Sequence, residues 1–230
     1  MSKNVVVKIC GLMREEDVKL CVDYGTNIIG FVVEYPVDVP WNLKRERAAE
    51  LIKYFREYTQ QNSSKVKCCI VSGGGFEKLA ELAKLLKPDY IQMHYKEDAN
   101  DVRELSKALE GTSVKIVKTV PSDVQDIGEC AALYESSGAD MLLVDARNSE
   151  NAASSHAMLD GEMFNTVRDA VKIPVMAAGG ITPENVADII DGLSPEIIDL
   201  MTGVEEKHGV KSEEKVKKLF EKINEKRTEG

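Results

Sequence analysis

Short apolar runs alternate with longer segments that carry charged residues, from one end of the chain to the other. An apolar run bounded by turn residues predicts a buried strand, and a longer amphipathic segment predicts a helix. The predicted strands are Val5–Cys10, Asn27–Val33, Lys65–Val71, Tyr90–His94, Val114–Thr119, Met141–Asp145, Val175–Ala178 and Ile197–Leu200. The predicted helices are Arg14–Tyr24, Leu43–Tyr58, Gly75–Leu86, Asp98–Leu109, Ser122–Ser137, Gly161–Ala170, Thr182–Ile190 and Ser212–Glu225.

This strict alternation of strand and helix is typical of a parallel sheet whose strands are connected by helices. No linker rich in Pro, Gly or Ser interrupts it, and no G-x-G-x-x-G follows the first strand. Eight strand–helix pairs therefore favour a closed barrel over a doubly wound open sheet. We predict an α/β protein, a (β/α)8 TIM barrel, as a single domain over residues 1–230.

Composition and charge narrow the classes of function. With 43% hydrophobic and 30% charged residues, the 230-residue chain has the composition of an ordinary globular domain. The formal net charge of −9 argues against nucleic-acid binding, which needs a basic face, and no apolar run approaches membrane-helix length. Five cysteines without a C-x-x-C pair predict reduced thiols in a cytoplasmic protein, with no metal and no cofactor.

Cys10 ends the first predicted strand and precedes Gly11. Barrel enzymes carry their catalytic residues at the carboxyl ends of strands, so Cys10 is the leading candidate for chemistry. The alternative is a buried, inert cysteine that fills space. Asp145 ends the sixth strand, where an aspartate commonly caps the next segment. The long segment 146–160 that follows Asp145 has no clear periodicity, which is typical of a functional loop.

Two glycine-containing turns predict a phosphate site. Gly179 and Gly180 follow the seventh strand just before a helix, and Thr202 and Gly203 follow the eighth. The loops after strands seven and eight form the recurring phosphate site of this architecture, and free N–H groups at a helix start favour an anion. We therefore expect a small phosphorylated ligand.

Several motifs together resemble the phosphoribosylanthranilate isomerase family of tryptophan biosynthesis, in the same order and nearly end to end. They are Lys8–Leu12 (K-I-C-G-L), Asn27–Phe31, Ile91–His94, Leu143–Asp145, Ala178–Val186, Thr202–Glu205 and Gly209–Lys211. The resemblance implies a (β/α)8 barrel that performs an Amadori rearrangement of an aminoaldose phosphate to an aminoketose phosphate. It implies Cys10 as the general base at C2′ and Asp145 as the general acid at the ring oxygen. Lys8, Gln92 and His94 would belong to the substrate pocket.

Two departures from the family pattern concern the aromatic part of the substrate. Trp41 stands where the family has an arginine that would meet the anthranilate carboxylate, and an indole cannot replace a bidentate guanidinium. The loop after the sixth strand has lost a Gly-Gly-Thr-Gly element, and Arg147 is a candidate for the missing positive charge.

Two alternatives stay open beside the isomerase. One is a paralogue that acts on another phosphorylated sugar or metabolite, and the other is a catalytically silent barrel that binds a phosphometabolite. A homodimer is compatible with the sequence, which does not fix the oligomeric state.

Overall fold

Eight parallel strands form a closed barrel in which each strand pairs with the next and the last pairs with the first. The structure is a computed structural model, and it describes residues 5–146 and 158–228. The strands are β1 Val6–Ile9, β2 Ile28–Val32, β3 Lys67–Ser72, β4 Tyr90–Met93, β5 Lys115–Val120, β6 Met141–Asp145, β7 Val175–Ala178 and β8 Ile197–Leu200. The helices are α1 Glu15–Asp23, α2 Arg45–Gln61, α3 Phe76–Leu86, α4 Ala99–Ala108, α5 Ile127–Ser136, α6 Gly161–Ala170, α7 Val186–Leu193 and α8 Glu213–Thr228.

All eight predicted strand–helix pairs are present, and the (β/α)8 fold is confirmed. Two helices begin later than their sequence predicts. Helix α5 starts at Ile127 rather than Ser122, because the Asp126 carboxylate caps a first turn that begins there. Helix α7 starts at Val186 rather than Thr182, because the preceding residues form a separate hydrogen-bonded turn.

A small antiparallel hairpin after β8 is a feature that the periodicity did not predict. A 3-10 turn over Thr202–Val204 leads into β9 (Glu205–Lys207), which pairs with β10 (Val210–Lys211). The backbone N–H of Lys211 donates to Asp17 Oδ1 on α1, 3.2 Å away. The hairpin is thereby attached to the first helix of the barrel.

Successive residues of the strands face opposite sides of the barrel wall, as the pleat requires. Cys68 packs in the layer between strands and helices, whereas Cys69 faces the barrel interior. All five cysteines are free thiols. Among the described helices, none has the length and apolar character that a membrane crossing needs.

Short polar side chains at the amino ends of several strands close the lower rim of the barrel. Asn27 Oδ1 accepts from Val7 N–H, and Asp140 Oδ2 accepts from Ile116 N–H, each at 2.8 Å. These bonds satisfy backbone donors that the sheet leaves unpaired at its lower edge. The lower rim is therefore stabilised by side chains, and the opposite rim is left for the functional site.

Candidate active site

One cavity opens at the carboxyl ends of the strands, where barrel enzymes place their chemistry. It is lined by Cys10, Val32, Tyr35, Val39, Trp41, Val71, Gln92, His94, Asp145, Asp199 and Met201. The structure therefore brings the thiol of β1 and the carboxylate of β6 to one cavity, although 135 positions (145 − 10) separate them in the sequence.

Two glycines, Gly11 and Gly30, determine the position of Cys10. A larger residue at either position would introduce strain. Gly11 has a φ of +72°, a left-handed conformation that turns the chain away from the strand. A Cβ on Gly30 of β2 would lie 2.6 Å from the Cys10 Sγ atom, so the missing side chain makes room for the sulfur. Burial raises the pKa of the Cys10 thiol, the nearby Lys8 ammonium opposes this, and the balance stays above the ordinary value.

Lys8 lies beneath this cavity, below the residues that line it, and its place in the substrate pocket stays a prediction. Its side chain is fully buried inside the barrel, and Nζ lies 2.5 Å from Asp199 Oδ2. Asp199 itself lines the cavity, and the sequence analysis did not single it out. The available signal was a charged residue in the third position of the apolar strand Ile197–Leu200.

Asp145 is almost completely buried and lies next to His94, with 3.7 Å between Asp145 Oδ2 and His94 Nε2. Gln92 Nε2 lies 2.8 Å from His94 Nδ1. Because an amide nitrogen only donates, this contact assigns the acceptor role to Nδ1 and the proton to Nε2. The Gln92–His94 contact therefore directs an N–H group towards the Asp145 carboxylate.

The two predicted phosphate loops are in direct contact. A Cβ on Gly203 would lie only 1.9 Å from the carbonyl oxygen of Ile181, so the strand-eight turn packs against the strand-seven loop. Gly179 and Gly180 both have positive φ, and a Cβ on Gly179 would meet Ala146, the neighbour of Asp145.

Trp41 lines the cavity from the β2 side, and its indole N–H donates to Glu205 Oε1 at 2.8 Å. Lys211 Nζ binds the same oxygen atom at 2.9 Å, so the buried Glu205 carboxylate is already neutralised by a cation. The His208 ring packs edge-on against the indole. Trp41 is thus a fixed wall of the cavity, and its one polar hydrogen is committed to the β9–β10 hairpin.

Some predicted features lie outside the described residues. Arg147 and most of the loop after β6 fall within 147–157 and are not described. Within residues 5–146 and 158–228, no group of three or more His, Cys, Asp or Glu side chains is arranged to hold a metal ion.

The closed barrel, with acidic and basic side chains around a cavity at its carboxyl end, has the architecture of a (β/α)8-barrel enzyme. A family model described as N-(5'-phosphoribosyl)anthranilate (PRA) isomerase matches residues 7–222. The chain therefore belongs to the PRA isomerase family.

Individual relatives agree with this family. The N-(5'-phosphoribosyl)anthranilate isomerase of Natronomonas pharaonis is 29% identical over 211 residues, which cover 91% of this chain and 93% of that protein. The crystal structure of the Thermus thermophilus enzyme matches with a TM-score of 0.77 at 25% identity, over 96% of this chain and 99% of that chain. Another PRA isomerase was solved in complex with reduced 1-(o-carboxyphenylamino)-1-deoxyribulose 5-phosphate. It matches with a TM-score of 0.75 at 23% identity, over 96% of this chain and 99% of that chain, and shows the common fold.

Proposed function

We propose that this protein isomerises phosphoribosylanthranilate by an Amadori rearrangement, with Asp145 as general acid and Cys10 as general base. The observation that carries the proposal is that these two side chains line one cavity, beside two glycine loops that contact each other. Relatives named for this activity, one of them solved with a reduced product analogue, support the choice of substrate.

The acid step opens the sugar ring. Protonated Asp145 donates to the ring oxygen, the bond between that oxygen and C1′ breaks, and the nitrogen lone pair forms an iminium at C1′. Asp145 is 2% exposed, so this proton transfer would take place away from bulk water. The N–H of His94, 3.7 Å away, faces the carboxylate that remains after the proton has left.

The base step moves the double bond. The Cys10 thiolate removes the C2′ proton, the electrons neutralise the iminium to an enamine, and tautomerisation gives the ketone at C2′. The reaction needs Cys10 as a thiolate and Asp145 as a neutral acid in the same molecule, so kcat/KM should depend on pH in a bell-shaped way. Because burial raises the pKa of Cys10, only a minority of the molecules carries the thiolate at neutral pH.

Activity assays on single variants test both roles. Cys10→Ala and Asp145→Asn should each lower kcat by a factor of about 10² to 10⁴, the usual contribution of one acid or base. The change in fluorescence as phosphoribosylanthranilate is consumed measures the rate. Cys130→Ala, which removes a half-buried thiol of α5 outside the cavity, is the matched control and should retain full activity. Wild-type activity in Cys10→Ala would refute the proposal, and an inactive wild type would favour the silent binding barrel.

We assign the substrate phosphate to Gly179, Gly180, Thr202 and Gly203. Gly203→Ala would force a Cβ against the Ile181 carbonyl and should lower the affinity for inorganic phosphate at least about tenfold, because the two loops would separate. Gly192→Ala in α7 is the control, since a Cβ there meets nothing within 4 Å. Isothermal titration calorimetry with phosphate compares the two variants. Equal affinities would place the anion elsewhere.

A second candidate function is the same isomerisation on an aminoaldose phosphate whose nitrogen substituent lacks a carboxylate. The fixed Trp41–Glu205 contact favours it, because Trp41 presents an apolar face and the described cavity lining includes Asp145 and Asp199 but no lysine or arginine. The ratio of kcat/KM for phosphoribosylanthranilate and for the corresponding aniline derivative separates the two. A ratio below one would favour the second function, and a ratio above ten would show that the site recognises the carboxylate.

A cytoplasmic location is consistent with five free cysteines and a biosynthetic family. The homodimer stays a prediction, which light scattering on the purified protein would test.

A further inference from the structure

Two opposite charges face each other inside the barrel, in strands that are otherwise apolar. Lys8 of β1 and Asp199 of β8 are partners in the strand register, and their side chains form an ion pair at 2.5 Å. The lysine is 0% exposed. A buried ion pair rarely stabilises a fold more than apolar residues of similar size, so stability alone does not explain its presence.

The position of the pair suggests another role. Cys10 follows β1 directly, and its N–H still bonds to the Leu200 carbonyl of β8 at 2.8 Å. Lys8 and Cys10 are two residues apart along this extended chain, so both side chains point into the barrel and lie about 7 Å apart. Asp199 is beside Lys8 and also lines the cavity that contains the Cys10 sulfur. The pair thus forms the floor beneath the proposed base.

We propose that the Lys8–Asp199 pair controls the ionisation of Cys10, with the Lys8 ammonium as the positioning charge that favours the thiolate. This inference rests on the proposed function, in which Cys10 is the general base. Lys8 lies below the residues that line the cavity and acts through Cys10.

The electrostatics around the sulfur support the proposal. Burial raises the pKa of Cys10, and among the surrounding charges Lys8 has the largest effect and lowers it. Asp199 raises this pKa, while Lys211 of β10 and the Gly11 N–H lower it to a smaller extent. Cys69 faces the same interior from β3, and the titratable His94 and Asp145 share the cavity.

Asp199 also explains why Lys8 keeps its charge. Burial by itself would lower the pKa of Lys8, but the Asp199 carboxylate raises it above the ordinary value. Lys8 is therefore protonated over the whole pH range in which a thiol titrates. A buried lysine without this partner would lose its proton and could no longer favour the thiolate.

The pH dependence of Cys10 alkylation by iodoacetamide tests the inference, with mass spectrometry to separate Cys10 from the other cysteines. Lys8→Met should shift the alkylation profile of Cys10 upward by at least one pH unit, which is a tenfold loss of thiolate at neutral pH. Lys8→Arg retains a permanent positive charge and should leave the profile within about half a unit. Lys118→Met, which removes another buried lysine on the helix-facing side of β5, is the matched control and should shift nothing.

A second variant keeps the test valid if Lys8→Met does not fold. Lys8→Met/Asp199→Asn removes both charges and leaves no unpaired ion, and its profile should still move upward, though less, because Lys8 has the larger effect on Cys10. In any folded variant with a shifted profile, kcat at neutral pH should fall with KM little changed.

An unshifted profile in Lys8→Met, or in the double variant, would overturn the inference, as would an equal shift in Lys118→Met. The proposed function fails separately: an active Cys10→Ala variant would remove Cys10 as the base whatever the alkylation profiles show.

Discussion

Lys8 and Lys118 are both buried in strands of the same barrel, yet their surroundings shift their pKa values in opposite directions. Lys8 faces the interior and forms an ion pair with Asp199, and its pKa is raised. Lys118 faces the helix layer, where Nζ donates to the Thr119 carbonyl at 2.9 Å and lies 5.1 Å from the centre of the Tyr134 ring. Burial lowers the pKa of Lys118 to about 8, and the charge of Glu97 opposes this only in part.

The difference shows that burial does not decide the charge of an interior lysine. A carboxylate within hydrogen-bond distance compensates the lost hydration of the ammonium, whereas a carbonyl and an aromatic ring compensate only part of it. Lys8 can therefore serve as a permanent charge near the cavity, and Lys118 can lose its proton at moderately alkaline pH.

The largest effect is expected when Lys8 loses its charge. Lys8→Met leaves the Asp199 carboxylate buried without its cation and should lower the free energy of unfolding by about 3–5 kcal/mol. Urea denaturation at pH 7 measures it. Lys118 forms no ion pair within 4.0 Å among the residues that the structure describes, so Lys118→Met should cost little stability or increase it. Equal losses in the two variants would contradict the comparison.

The pH dependence of stability sharpens the contrast. The pKa of Lys118 is about 8 in the folded protein and 10.5 in the unfolded chain, so between these values the unfolded chain binds more protons. Stability from this group therefore rises as pH increases from 8 to 10.5, by up to about 3 kcal/mol.

Comparison of wild type with Lys118→Met isolates this contribution. All other titrating groups are the same in both proteins, so their effects cancel in the difference between the two free energies of unfolding. The free energy of unfolding of the variant minus that of wild type should be larger at pH 7 than at pH 10.5, and it should fall steadily between pH 8 and pH 10.5. Denaturation of both proteins at four pH values is sufficient. A constant difference across the range would show that Lys118 does not titrate there.

The smallest effect is expected at a third strand lysine. Lys67 begins β3 and forms an ion pair with Asp89 at 2.8 Å, but its side chain is 54% exposed. Water already solvates both charges, so Lys67→Met should lower the free energy of unfolding by less than about 1 kcal/mol, and less still in high salt. A loss as large as that of Lys8→Met would show that the presence of a paired carboxylate, and not burial, determines the loss in free energy of unfolding.

The sequence predicts features that depend on local periodicity. Eight apolar runs and eight amphipathic segments were sufficient for the barrel, and their order placed Cys10 and Asp145 at the functional rim. The glycine turns at 179–180 and 202–203 were also visible, since a left-handed or closely packed backbone position favours glycine.

Contacts between distant residues could not be predicted in this way. The charge in β1 was visible in the sequence, but its partner lies 191 positions away. Trp41 was recognised as a departure from the family, whereas its bond to Glu205 depends on the β9–β10 hairpin, which has too few residues for a periodic signal. Tertiary contacts, which periodicity does not encode, decide both cases.

The pairing of β1 with β8 also constrains how the chain folds as the ribosome makes it. Lys8 leaves the ribosome early, and Asp199 follows about 10–40 s later at ordinary rates of synthesis. Until then the first strand has one unpaired edge and an ammonium group that must remain hydrated. The nascent chain therefore cannot bury its first strand before its last strand has been made. During this interval, the exposed first strand is available for a chaperone to bind.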